Sequence, residues 1–257
     1  MKYQTALITG ASAGIGAAIA RVLARQGTNL ILLARRRDRL EALQRELRDQ
    51  VRCHVVAVDM ADLQQIEQAV QQLPEDFARV DVLVNCAGLA LGLGTADEVD
   101  WQDWQTMINV NCTGLAFITR QLLPGMVQRN TGHIINIGSI AGTYPYRGGN
   151  VYGATKAFVE QLSLNLKADL LGTGVRVTNI EPGMVGDSEF SLVRFKGDED
   201  KAAAVYAGID ALTPEDIAEN VGWVLSQPAH VNINRMEIMP VGQAPSRTAY
   251  HRKDSTE

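Results

Sequence analysis

The chain has 257 residues, 46% of them apolar, and a net charge of −5 with its basic residues scattered or balanced by acids. That composition supports a sizeable core, leaves no block biased enough for disorder, and argues against nucleic acid as a partner. The longest apolar runs are strand-length, the start "MKYQTALITGASAGIG" puts turn glycines where a signal peptide's apolar centre must continue, and the three cysteines (Cys53, Cys86, Cys112) give neither a disulfide framework nor a metal-ligand spacing. The expectation is a soluble, reduced, cytoplasmic globular protein.

In chain order, strands are expected at "TALIT" from Thr5, "NLILLA" from Asn29, "HVVAVD" from His54, "VDVLVN" from Val80, "HIINIGS" from His133, "VRVTNIEPG" from Val175 and "MEIMPV" from Met236. Helical spacing fills the gaps: Ala17 to Gln26, Asp38 to Gln50, Asp62 to Leu73, Asp103 to Arg129 and Tyr152 to Leu171. A further helix starts at Thr213-Pro214-Glu215, with Thr213 as N-cap and the proline in the first turn. Strands apolar throughout belong in a parallel sheet covered on both faces. The alternation therefore predicts an α/β protein, a doubly wound, Rossmann-like parallel sheet with helices on both faces. No linker divides the chain, so residues 1–243 form a single domain. The main irregular region, about 184–208, follows a strand's carboxyl end and is expected to be the substrate loop. The polar tail, 244–257, is either loose or docked on a neighbouring subunit.

The first strand runs into "TGASAGIG", where Gly10, Gly14 and Gly16 permit a tight turn and close backbone approach, and the helix start offers amides to a pyrophosphate. Ser12, Ala13 and Ile15 complete this expected nucleotide-facing turn. The spacing is G-x-x-x-G-x-G rather than G-x-G-x-x-G, so a mere packing turn competes with binding; its place after the first strand favours binding. The second strand ends at Ala34, where NAD-preferring sites carry an acid, and Arg35, Arg36 and Arg37 follow. With no carboxylate to repel a phosphate and guanidinium groups to pair with one, NADP is the expected cofactor, held by Arg35 and Arg36 with Ser12 as helper. The competing reading is a solvated basic helix start. Asp59, ending the third strand, is expected either to accept a hydrogen bond from adenine or to cap the next helix.

"GGNVYGATKAF" sets Tyr152 and Lys156 four apart on one helix face. A free tyrosine, with a pKa of about 10, is a poor base near neutrality, and a neighbouring ammonium favours its phenolate. The pair is either a surface accident or an acid/base tuned by its lysine.

Taken together, "TGASAGIG", "NCAG" from Asn85 to Gly88, Ser139, "YGATK" from Tyr152 to Lys156 and Pro182-Gly183 resemble the short-chain dehydrogenase/reductase family, in order and over nearly the whole chain. The resemblance implies hydride transfer between a nicotinamide and a carbinol carbon. Tyr152 would be the acid in reduction and the base in oxidation, with Lys156 tuning it and holding the nicotinamide ribose. Ser139 would orient the substrate oxygen. Asn111, which unlike Asn109 lies three before Gly114, would hold a water linking Lys156 to solvent; in the competing reading it satisfies backbone groups at a helix irregularity. The resemblance also places Asn85, Ala87, Gly88, Pro182, Gly183 and Val185 against the dinucleotide. It implies a homotetramer joined through the long helices containing Asn111 and Tyr152 and through the last helix and strand. Cys86 stands where the family commonly has a second asparagine, a position that supports the strand and turn. Cys112 is expected to be a small buried filler.

The segments "GLALG", "GNVYGATKAF", "IEPGMVGDSEFSLVRFKGD" and "ALTPEDIAENVGWVLSQPAHVNINRMEIMPV" are similar to the NADP-dependent 3-hydroxy acid dehydrogenases. This implies substrates of the L-allo-threonine, serine, and 3-hydroxypropionate/malonic semialdehyde type. Oxidation at the 3-position gives a 3-oxo acid, whose carboxylate can leave spontaneously as carbon dioxide. Such a substrate requires a cation for its carboxylate, ideally an arginine. Arg194, in the segment expected to close over the substrate, is the favoured residue, with Lys196 and Arg147 as neighbours. The alternatives are a 3-oxoacyl-thioester reductase or broad carbonyl reductase of the same family, and a non-catalytic NADPH-sensing protein.

Overall fold

Seven strands, β1 (Thr5–Thr9), β2 (Asn29–Ala34), β3 (Cys53–Ala57), β4 (Val82–Asn85), β5 (Gly132–Ile137), β6 (Val175–Pro182) and β7 (Arg235–Ile238), form one sheet in the order β3-β2-β1-β4-β5-β6-β7. All six pairings are parallel. The computed structural model that gives this topology describes residues 3–245.

Alternate residues of each strand feed opposite faces, which is why the strands read as apolar throughout. Ala6, Ile8, Leu30, Leu32, Val82 and Val84 join one core, with helices α1 (Gly14–Arg25) and α2 (Arg37–Leu47). Leu7, Ile31, Leu33 and Leu83 join the other, with α3 (Leu63–Gln71). After β3 the chain crosses to the far side of β1 to lay down β4. The carboxyl ends of β1 and β4 therefore open a crevice at the switch point.

The helix expected over Asp103 to Arg129 is not continuous. It is α4 (Trp101–Ile108), a π-helical turn (Asn109–Gly114), and α5 (Leu115–Gln128). Gly114, which ends the π-helical turn, lies so close to the loop after β3 that a β-carbon there would sit 2.0 Å from the Met60 carbonyl oxygen. Gly114→Ala is expected to destabilise the fold by about 3 kcal/mol, the cost of an overpacked methyl whose neighbour is backbone. A urea titration checks this, and an unchanged midpoint would show that the turn relaxes freely.

Beyond β5, α6 (Asn150–Asp169) carries the tyrosine-lysine pair. The segment expected to be irregular after β6 instead holds two short helices, α7 (Phe190–Arg194) and α8 (Glu199–Ala204). Lys196 and Gly197 between them take positive φ values of 55° and 92°, and Asp187 before them takes 48°. Each helix is too short to show periodicity in sequence. Helix α9 (Pro214–Ser226) begins as expected: Thr213 and Asp216 form a reciprocal capping box with Pro214 in the first turn. It packs on α1 and closes the first core through Ile217, Val221 and Val224. Of the polar tail, residues 246–257 lie outside the described residues; Ala244 and Pro245 belong to the wall of the cleft described below. Among the described residues, no helix is long and apolar enough to cross a membrane.

Candidate active site

A cleft of about 970 Å³ runs along the carboxyl ends of the strands, from Ala34 and Arg35 at one end to Ser139, Tyr152 and Arg194 at the other. Its floor begins at the glycine turn. Gly10 has φ 71°, and a β-carbon on it would lie 2.9 Å from the Ala87 backbone. One on Gly16 would lie 2.4 Å from the Gly10 carbonyl oxygen, so only glycines let β1, α1 and the β4 turn meet. Helix α1 starts from Ala13 with no side-chain cap and no acid in its first turn. Its leading amides and dipole are left for an anion in the cleft.

At the β2 end, Arg36 donates from Nη2 to Ser12 Oγ at 3.3 Å. The rest of its fork grips a carboxylate: Nη1 and Nη2 donate to the two oxygens of Glu189 at 3.1 and 2.7 Å. Arg39 adds a bond of 2.8 Å to the same group. Arg35 is exposed at the rim. The donors therefore accept an oxyanion beside Ser12, with Glu189 as the stand-in, and this chemistry fits the 2′-phosphate of NADP. Asp59 lines the cleft and accepts from the Ala61 amide at 2.9 Å, while the N-cap of α3 is Asp62.

At the β5 end, Tyr152 is buried, 7% exposed, with its ring 5.7 Å from that of Phe190. Burial pushes its phenol up to about 12, while a hydrogen bond with Ser139 and the charge of Arg194 oppose the rise. Burial pushes Lys156 down to about 8. The expected tuning of the phenol by the lysine is not realised here. Lys156 Nζ donates to the Ile137 carbonyl at 2.8 Å and lies 5.9 Å from the Tyr152 ring centre. Ser139 and Arg194 supply the interactions that favour the phenolate, and the lysine is directed toward Gly88 and the nucleotide side of the cleft.

Two of the expected residues do not line the cleft. Asn85 is buried beneath it, its amide nitrogen bonded to Thr119 Oγ1 at 3.0 Å and Asn136 Oδ1 at 2.8 Å, which fixes the end of β4. Asn111 is also buried in the π-helical turn. It accepts from the Leu89 amide and donates to the Leu89 carbonyl, at 2.9 and 2.8 Å, and donates to Thr155 Oγ1 at 3.1 Å. Its side chain thus pins the loop after β4 from the π-helical turn. Ala87, Gly88, Pro182, Gly183 and Val185 do line the cleft. Burial pushes the Cys86 thiol up to about 12 and the Cys112 thiol up to about 11, so neither is a thiolate near neutrality.

Arg194 crosses over the catalytic end. Its Nε donates to the Gly92 carbonyl at 3.0 Å and its Nη2 to Tyr146 Oη at 2.6 Å. Its guanidinium lies 5.4 Å from the Tyr146 ring centre and 5.6 Å from that of Tyr152. Lys196 is instead held by Asp103 at 2.8 Å, and Arg147 lies on the wall without approaching Tyr152 in this way. Sequence reasoning missed Tyr146, Phe190, Tyr206 and Glu189. Tyr206 reaches Ser191 Oγ at 2.8 Å and joins α7 to the segment after α8. The aromatic character of "TYPYRGGN" was the one signal available for Tyr146.

A switch-point crevice that can take a phosphorylated dinucleotide beside a buried phenol-hydroxyl pair defines a nucleotide-dependent oxidoreductase. Within that class, the chain belongs to the short-chain dehydrogenase family, whose sequence pattern, described as short chain dehydrogenase, matches residues 4–195. It is 53% identical, over 96% of its length and 99% of the relative's, to the NADP-dependent 3-hydroxy acid dehydrogenase YdfG of Escherichia coli. A sulfoacetaldehyde reductase of Chromohalobacter salexigens is 50% identical over 94% of this chain and 96% of its own. Among solved structures, the closed form of serine dehydrogenase complexed with NADP+ superposes with a TM-score of 0.94 at 53% identity, covering 97% of this chain and all of that one.

Proposed function

We propose that the protein is an NADP-dependent dehydrogenase of small 3-hydroxy acids, of the L-allo-threonine, serine and 3-hydroxypropionate type, and that Arg194 reads the substrate's acid group. The single observation that carries the substrate reading is the position of that guanidinium, 5.6 Å from the ring centre of Tyr152. Its Nε and Nη2 are anchored to Gly92 and Tyr146, leaving Nη1 for a substrate carboxylate. A cation this close to the phenol spans only a few bonds of substrate, which suits a 3-hydroxy acid and not a long thioester. The relatives' names agree, and a sulfonate-bearing aldehyde, as in the sulfoacetaldehyde reductase, offers the same anionic tail.

NADP supplies or accepts the hydride when bound. The remaining work falls to side chains. Tyr152 gives a proton to the substrate oxygen in reduction and takes it in oxidation. Ser139 hydrogen-bonds that oxygen and the phenol, and holds the Ala141 amide at 3.1 Å. Lys156 and Arg36 bind the two halves of the nucleotide, and Asn111 keeps the loop of Gly88 and Leu89 in place. Phe190 and Arg194 cover the phenol and exclude water. The same reading includes a cytoplasmic homotetramer, supported by the free thiols and by exposed apolar side chains on the relevant helices, Phe158 and Leu164 on α6 and Trp223 on α9.

The test is NADP reduction at mildly alkaline pH with L-allo-threonine, L-serine, 3-hydroxypropionate and the methyl ester of 3-hydroxypropionate, and NADPH oxidation with sulfoacetaldehyde. Strong rates with the acids and loss with the ester are expected; no turnover with any of them would leave the NADPH-sensing reading. Arg194→Ala should raise KM for the acids about 10- to 100-fold, the worth of a charge-assisted hydrogen bond, and change the ester little. Equal losses on acid and ester would make Arg194 a loop-positioning residue instead.

A further inference from the structure

Glu189 belongs to neither the nucleotide turn nor the catalytic end, yet it occupies the oxyanion position of the first and is attached to the second. It is the N-cap residue of α7, the helix that carries Phe190 and Arg194 over Tyr152. Its carboxylate takes Arg36 fork to fork, at 3.1 and 2.7 Å, and Arg39 at 2.8 Å. The contact joins residues 153 apart in sequence. Ser12 Oγ is the other acceptor on the Arg36 fork.

A 2′-phosphate bound beside Ser12 needs the fork that Glu189 holds, and two anions cannot share it without repulsion. A nucleotide with a 2′-hydroxyl makes no such demand. We infer that Glu189 competes with the 2′-phosphate for Arg36, so that it weakens the preference for the phosphorylated nucleotide and ties α7 to the arginines whenever that phosphate is absent. The inference rests on the reading of Arg36 as the phosphate ligand. The three side chains are roughly 36 to 47% exposed, so solvent screens the pairing. A phosphate dianion carries more charge to the same donors and displaces the carboxylate, at a cost of a few-fold in affinity. Displacement leaves the carboxylate with Arg39 alone and so loosens the segment that begins at Asp187, whose φ of 48° marks a bend before α7.

The experiment measures NADPH and NADH affinity by nicotinamide fluorescence in the full chain, in Glu189→Gln and in Arg36→Ala. It also measures amide hydrogen exchange over 187–194 with and without adenosine 2′,5′-bisphosphate, which carries the 2′-phosphate and no nicotinamide. Glu189→Gln should bind NADPH about fivefold more tightly and NADH unchanged. In the wild type the bisphosphate should speed exchange over 187–194; in Glu189→Gln exchange should be fast from the start and respond no further. Weaker or unchanged NADPH binding by Glu189→Gln, or slower exchange on adding the bisphosphate to the wild type, would overturn the competition. If Arg36→Ala weakens NADPH while Glu189→Gln fails to tighten it, the competition alone is lost. If Arg36→Ala leaves NADPH binding unchanged, the phosphate reading falls and takes the competition with it.

Discussion

Tyr152→Phe is expected to lower kcat by about 10³-fold in both directions, the size of a lost general acid/base, while NADPH binds with nearly unchanged affinity. The substitution removes one oxygen from a ring that keeps its contact with Phe190, so the cleft keeps its shape. Of the neighbouring groups, Lys156 is engaged with the Ile137 carbonyl and the Asn111 amide with Leu89 and Thr155, which leaves the Ser139 hydroxyl as the competing proton carrier. The pH dependence has a definite sign. Burial raises the Tyr152 pKa to about 12, so the phenol keeps its proton through the neutral range. Reduction, which needs the protonated form, should hold its rate near neutrality, and oxidation, which needs the phenolate, should climb as pH rises. The residual oxidation rate of Tyr152→Phe should lose that climb. A residual rate above about a tenth of wild type, or a preserved alkaline climb, would hand the proton to Ser139.

The roles of Lys156 and Ser139 illustrate what spacing conveys. A four-residue interval places Tyr152 and Lys156 on one helix face, and both indeed face the cleft from α6. It does not say which neighbour each polar atom will choose. The ammonium turns to a β5 carbonyl, and the phenol turns to a hydroxyl from the loop after that strand.

The same division holds across the fold. The five inner strands, β1, β2, β4, β5 and β6, were legible because they are buried on both faces and so carry mainly apolar side chains between turn residues, whereas the edge strands β3 and β7 are only half-buried or alternately exposed and were marked by β-branched or alternating residues. The start of α9 was legible because a capping box is local. An irregularity at Asn111 was entertained only as a competing reading, and the π-helical form of Asn109–Gly114 was not legible, because the Met60 carbonyl against which Gly114 packs is far away in sequence. Helices α7 and α8 are held by contacts such as Arg194 with Gly92 and Ser191 with Tyr206, which leave no repeat in the chain. Glu189 was invisible for the same reason: its meaning depends on Arg36 and Arg39, on the far side of the domain in sequence.

Replacing Arg35 and Arg36 together by alanine should weaken NADPH about 100-fold while changing NADH by less than about threefold. Arg36 brings its fork and the Ser12 hydroxyl to one oxyanion position, and Arg35 adds an exposed charge at the rim. Ala34, where an acid would hold a ribose hydroxyl, offers NADH nothing to lose. Because Arg35 is exposed, part of the effect is long-range and screened, so the wild-type affinity for NADPH should fall from about 50 to about 500 mM salt and that of the double variant should change much less. The fold should not suffer. Arg36 is the N-cap residue of α2 but makes no capping bond, and the apolar side of that helix is held by Leu40, Leu43 and Leu47. Equal losses for NADPH and NADH would mean that the two arginines hold the turn between β2 and α2 and that the phosphate is bound elsewhere. A loss confined to NADPH that survives high salt would assign the binding to the Arg36 fork rather than to the field at the rim, since a bidentate, partly buried contact is screened far less than an exposed charge.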